Sequence, residues 1–126
     1  MLFPTTEEVL DLHKNAIEEF GGTHGLREEA ALESALIAAQ NRAYYENADL
    51  AVCAATYAYH LTQAHAFIDG NKRIAAAVAE LFLSINDARL ELTNAEIVEL
   101  FLGIAASRIT RDEVEHIFVQ RVTLTS

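Results

Sequence analysis

The chain has 126 residues, 52% of them hydrophobic and one of them proline, which suits a single domain with a real core and favours helix over strand. Nine Lys and Arg against nineteen Asp and Glu leave a net charge of −10. Such a surface repels phosphate backbones at long range, so direct nucleic-acid binding is not expected.

The first residues carry acidic Glu7, Glu8 and Asp11, where a secretory leader would be basic and then apolar. The lone Cys53 has no partner for an internal disulfide and reads as a small buried hydrophobe. No uncharged apolar run reaches membrane-spanning length, because Arg73 and Glu80 interrupt the best candidate. The expectation is a cytoplasmic protein with no membrane contact.

About six helices are predicted. The first runs from about Thr6 to Phe20, with Val9, Leu12, Ala16, Ile17 and Phe20 on its inner face, and stops at Gly21-Gly22. A glycine turn leads to a second through Ala30, Leu32, Ala35, Leu36 and Ala39. After a polar stretch at Tyr44-Tyr45-Glu46-Asn47, where a short hairpin is an option, a third runs from about Asp49 to Ala64. The fourth spans roughly Asn71 to Asn86, and shorter ones follow near Asn94–Ser107 and Arg111–Val122. Thr5 with Glu8, Thr93 with Glu96 and Thr110 with Glu113 have capping-box spacing. Segments 50–64 and 74–85 are apolar nearly all round, as in central helices of a bundle.

Between those two segments stands His65-Ala66-Phe67-Ile68-Asp69-Gly70-Asn71-Lys72-Arg73. If Asn71 opens the fourth helix, the amides of Gly70 to Arg73 form an anion pocket strengthened by the helix dipole. Gly70 lets the backbone approach a phosphate, Arg73 grips oxygens in a planar fork, and Lys72 adds a mobile charge. Asp69 suits Mg²⁺, which takes one carboxylate plus phosphates and water. His65 is placed to take a proton from a hydroxyl, and Phe67 plugs the loop into the core. These are the parts of Mg²⁺-assisted phosphoryl or nucleotidyl transfer.

Taken singly, each residue has a structural reading: Asp-Gly-Asn is a common turn, and Lys-Arg a common solvated pair. Jointly, six specified residues match by chance on the order of 10⁻⁸ to 10⁻⁷ per position, which favours the functional reading. His60, His65 and Asp69 as a metallohydrolase site fit no standard zinc signature. His13 and His24 have no companions at ligand spacing, Glu113 and Glu115 read as a solvated helix start, and Tyr57 and Tyr59 read as packed with their hydroxyls reaching partners at the helix edge.

The nine-residue stretch resembles the Fic motif, H-x-F-x-[D/E]-[G/A]-N-[G/K]-R, in the form found in death-on-curing (Doc) toxins. Gly21-Gly22-Thr23-His24-Gly25-Leu26-Arg27 is similar to the Gly-Gly-x-x-Gly-[Leu/Met] turn of the same family, and Leu32-Glu33-Ser34-Ala35-Leu36 to its next helix. The resemblance covers the whole chain. It implies an all-α Fic-fold bundle, residues 1–126 forming one domain, with the motif loop between two central buried helices.

It also implies a chemistry. Members that transfer AMP usually have glycine where Lys72 stands and a second arginine where Ala76 stands. Lys72 would crowd the α-phosphate pocket, so ATP would bind reversed and present its γ-phosphate: a Doc-type protein kinase acting on a Ser or Thr hydroxyl. Ala66, where many members have proline, also weakens the AMP-transfer alternative. By resemblance His65 is the general base, Asp69 the Mg²⁺ ligand, and Gly70, Asn71, Lys72 and Arg73 the phosphate-binding set. The best-known target in the family is translation elongation factor Tu.

Self-restraining members carry an inhibitory [S/T]-x-x-x-E-[G/N] pattern. Here Glu46-Asn47 has Arg42 four residues earlier, so resemblance implies a separate Phd-like antitoxin whose C-terminal segment binds beside the motif. Tyr44 and Tyr45 fall near the region where members present a flap to the target. A catalytically silent protein-binding relative is the remaining alternative.

Overall fold

Three helices begin at the Thr-x-x-Glu boxes. In each, the threonine hydroxyl accepts the glutamate N–H and the glutamate carboxylate accepts the threonine N–H. They open α1 (Thr6–Phe20), α5 (Asn94–Ala105) and α6 (Arg111–Arg121). A cap of this kind stabilises a helix by about 1 kcal/mol. At the start of α3 (Leu50–Ala64) the Asp49 side chain accepts the Val52 N–H. Only α2 (Glu29–Glu46) and α4 (Asn71–Ile85) start without a side-chain cap.

The computed structural model describes residues 1–125. In it α3 is central and packs against α2, α4, α5 and α6. Cys53 to Ala58 are buried on every face, and their small side chains let the neighbouring helices approach closely. One continuous cluster runs from Val9 of α1 through Ile74, Val78 and Phe82 of α4 to Phe118 of α6. The all-α bundle with its loop between two central buried helices is therefore what the chain adopts. Cys53 lies wholly inside, where burial pushes its thiol up to about 11. No described helix is long and apolar enough to cross a membrane.

Several local expectations change. Two strands, β1 (Ala88–Leu90) and β2 (Val122–Leu124), pair antiparallel with Arg89 opposite Thr123. Three residues each are too few to leave a readable period. No hairpin forms at Tyr44–Asn47: α2 continues to Glu46 and stops on left-handed Asn47, leaving Tyr44 and Tyr45 exposed as an edge-on pair. Glu115 is no solvated helix-start residue; it forms an ion pair with Arg42, which also holds Glu46 at 3.2 Å.

Tyr57 departs furthest from expectation. Its ring is fully buried against Phe82 at 5.2 Å, and its hydroxyl has no hydrogen-bond partner among the described residues. Helices cover α3 on all sides, so the phenol ends inside the core instead of at an edge, and burial raises its pKa. An unmet buried hydroxyl costs about 1–3 kcal/mol. Tyr57→Phe is therefore expected to leave the calorimetric melting temperature unchanged or raise it. A loss above about 2 kcal/mol would show that the hydroxyl is bonded.

Candidate active site at the amino-terminal end of α4

The loop between α3 and α4 begins on His65, a non-glycine residue in the left-handed region (φ 48°). The Arg27 guanidinium donates to the His65 carbonyl at 2.8 Å, and the imidazole is exposed. The next residues form a small antiparallel bridge with the glycine turn. Arg27 and Glu28 N–H donate to the Ala66 carbonyl at 2.7 and 2.9 Å, and Ile68 N–H donates to Gly25 O at 3.1 Å. The segment that lines up against the motif is thus Gly25–Arg27.

Phe67 is 2% exposed. Its N–H donates to Asn71 Oδ1 at 3.0 Å, and its carbonyl accepts from Asn71 Nδ2 at 2.9 Å. The Asn71 side chain is thereby committed to bracing the loop, and what it offers a ligand is its backbone amide. Against the other side lies His13, buried on the same face of α1 as Val9 and Ile17. Its ring stacks on Phe67 with centroids 3.8 Å apart, and Nε2 is 2.7 Å from the Asp69 carbonyl. Sequence reasoning passed over His13 because its partners lie 54 and 56 residues away; the only local signal is a histidine at a helical core position.

Asp69 holds its carboxylate on two backbone amides, Oδ2 accepting from Thr23 at 3.1 Å and Oδ1 from Gly70 at 2.9 Å. These bonds, Thr23 foremost, hold its pKa below the ordinary value, with Arg73 and His13 contributing. Gly22 allows the approach: its φ is +117°, and a Cβ there would lie 2.7 Å from Asp69 Oδ2. Gly70 (φ +75°) then turns the chain into α4. The first intrahelical bond runs from Ile74 N–H to Gly70 O, leaving the amides of Asn71, Lys72 and Arg73 without an intrahelical acceptor.

Those amides open onto a cavity of about 590 Å³. One wall is Asp69, Gly70, Asn71, Lys72, Arg73 and Ala76; the other is apolar and comes from Phe20 and α5, including Val98 and Phe101. The Arg73 guanidinium sits 5.0 Å from the centroid of the Phe20 ring, with a long 3.5 Å contact to the Gly21 carbonyl. Phe20 is therefore not a core residue as its spacing suggested but an exposed ring that parks a site cation. Lys72 is exposed and unpaired among the described residues. Five of the six predicted site residues share this cavity; His65 is outside its lining, at the opposite end of the loop.

The donor set suits an anion with a hard cation between it and Asp69. Among the described residues no three His, Cys, Asp or Glu converge on a possible metal position, so a self-sufficient protein metal cage, including one from His60, His65 and Asp69, is not formed. His60 is half-buried, and burial with nearby Arg111 and Arg42 lowers its pKa.

The sequence model of the Fic/DOC family matches residues 3–83. The chain is 34% identical over 109 residues to the "Protein kinase doc" of Escherichia phage P1, the alignment covering 86% of each protein.

A carboxylate whose pKa is depressed on folding adds stability above its unfolded value and loses it as pH falls through the folded value. For Asp69 the unfolded value is 3.8. Asp69→Asn is expected to melt below the wild type at neutral pH, with the gap closing below about pH 4. A gap that stays constant down to about pH 2 would show that the carboxylate is not held by these amides.

Proposed function

The chain belongs to the Fic/DOC family, and from that premise we propose that it is a Doc-like toxin, a Mg²⁺-dependent kinase that moves the γ-phosphate of ATP to a Ser or Thr hydroxyl of a translation factor resembling elongation factor Tu. The observation carrying this reading is the uncapped start of α4, opening onto a cavity with Lys72, Arg73 and the Asp69 carboxylate on one wall. Ala76 lines the same wall one turn on, so the site has one arginine where the AMP-transferring pattern has two. The name of the phage P1 relative supports a kinase in the same direction.

In this reading the amides of Asn71 to Arg73 and the two cations hold the triphosphate, and they meet charge as it builds in transfer. Mg²⁺, held by Asp69 and phosphate oxygens, would supply charge neutralisation between nucleotide and protein. The acceptor hydroxyl approaches from the His65 side, since His65 stands outside the cavity lining. Its oxygen bonds to the γ-phosphorus as the bond to the β,γ-bridging oxygen breaks, ADP leaves, and the hydroxyl proton passes to the His65 imidazole. Arg27 keeps His65 at the helix end through its carbonyl.

Restraint would come from a separate Phd-like antitoxin. Glu46 is paired with Arg42 and is absent from the cavity lining, so it offers no internal block. A C-terminal antitoxin segment would lie beside the motif, against Phe20 of α1 and the apolar side of α5. Deleting that segment should weaken the complex at least about tenfold in calorimetry; unchanged affinity would reject the groove.

The deciding experiment is intact-mass spectrometry of elongation factor Tu after incubation with this protein, ATP and Mg²⁺, with His65→Ala as control. A gain of about 80 Da that the control lacks is expected. A gain of about 329 Da would identify AMP transfer, and no gain from any translation factor would favour a silent binding protein.

A further inference from the structure

We propose that His13 is a positioning residue for the nucleotide site: it fixes the Asp69–Gly70 peptide, and through that peptide both the Asp69 carboxylate and the open end of α4. The inference rests on the reading of the cavity as a Mg²⁺-nucleotide site. It adds a residue outside the nine-residue motif, on the first helix, to the machinery.

The geometry is a closed set of constraints on one peptide unit. The Asp69 carbonyl can only accept, so His13 Nε2 carries the proton that bridges their 2.7 Å separation. The N–H of the same peptide, from Gly70, donates to Asp69 Oδ1. Both polar ends of the unit are thereby pinned. Rotation of this peptide would swing Gly70, which is the N-cap of α4, and would pull Oδ1 away from its donor.

His13 is itself immobile. It is 4% exposed and lies flat on Phe67, with 13° between the rings. Gly70 packs beside it: a Cβ there would meet Nε2 at an ordinary 3.6 Å and Ile17 Cδ1 more tightly at 3.3 Å. Phenylalanine could fill the same space and keep the stack, but only a donor can hold the carbonyl. That separates a positioning role from a packing role.

The test compares His13→Phe, which keeps the ring stack and loses the donor, with His13→Gln, which keeps a donor within reach and loses the ring. Two quantities are read: the Mg²⁺ concentration giving half-maximal ATP binding, and the water-exchange rates of the Thr23 and Gly70 amides in nucleotide-free protein by NMR. His13→Phe is expected to raise the Mg²⁺ requirement about tenfold or more and to speed both amides. His13→Gln should bring both back towards wild type. A phenylalanine variant with wild-type Mg²⁺ requirement and wild-type exchange overturns the proposal.

If wild type binds no ATP with Mg²⁺, the reading of the cavity fails, while the amide rates still decide the role of His13. If His13→Phe does not fold, His13→Gln decides alone. Near-wild-type values support the donor, and values shifted tenfold or more show that the ring, not the hydrogen bond, is what matters.

Discussion

Burying Phe67 is the constraint on which the site depends. Moving that side chain out of water contributes about 2–3 kcal/mol, but it draws the peptide groups of a loop inward with it. An unmet N–H or C=O there would offset the gain. Asn71 meets both at once with its side-chain amide. Because Asn71 is also the first residue of α4, the same pair of bonds sets the helix start in register with the loop. The direction of the free amides of α4 thus follows from how one aromatic ring is buried.

The surrounding elements tighten that arrangement from three sides. The glycine turn clasps the outer side through Ala66 and Ile68 and reaches Asp69 through Thr23. The α1 helix contributes His13 from beneath and Phe20 from the rim. The central helix α3 ends at His65, which Arg27 ties to the turn. A site on packed helix ends is held more rigidly than one on a free loop, which suits chemistry that works by positioning.

Charge is distributed to the same end. The net charge is −10, and of the nine Lys and Arg four, Arg42, Arg89, Arg111 and Arg121, stand in ion pairs with carboxylates. Arg73 rests on an aromatic ring and Lys72 in solvent. A guanidinium over a ring keeps its charge available to an entering anion, whereas one bonded to a carboxylate would first have to be released. The acidic surface repels anions in general while this one cavity retains two cations for them.

What the sequence by itself determined is local. Thr5, Thr93 and Thr110 with their glutamates mark three helix starts, since both partners of a capping box lie within one turn. The all-round apolar segments identify the two central helices, and the nine-residue stretch identifies the loop between them. Tertiary structure decided whatever depends on partners far apart in the chain. His13 meets Asp69, Phe20 supports Arg73, Glu115 pairs with Arg42, and Thr23 holds Asp69. The orphan hydroxyl of Tyr57 and the three-residue strands belong with them. Helical spacing states which face a residue occupies and not what waits on the other side; in this fold that distinction turned a core phenylalanine into a cavity wall and gave an unaccompanied histidine the backbone carbonyl of Asp69 as its partner.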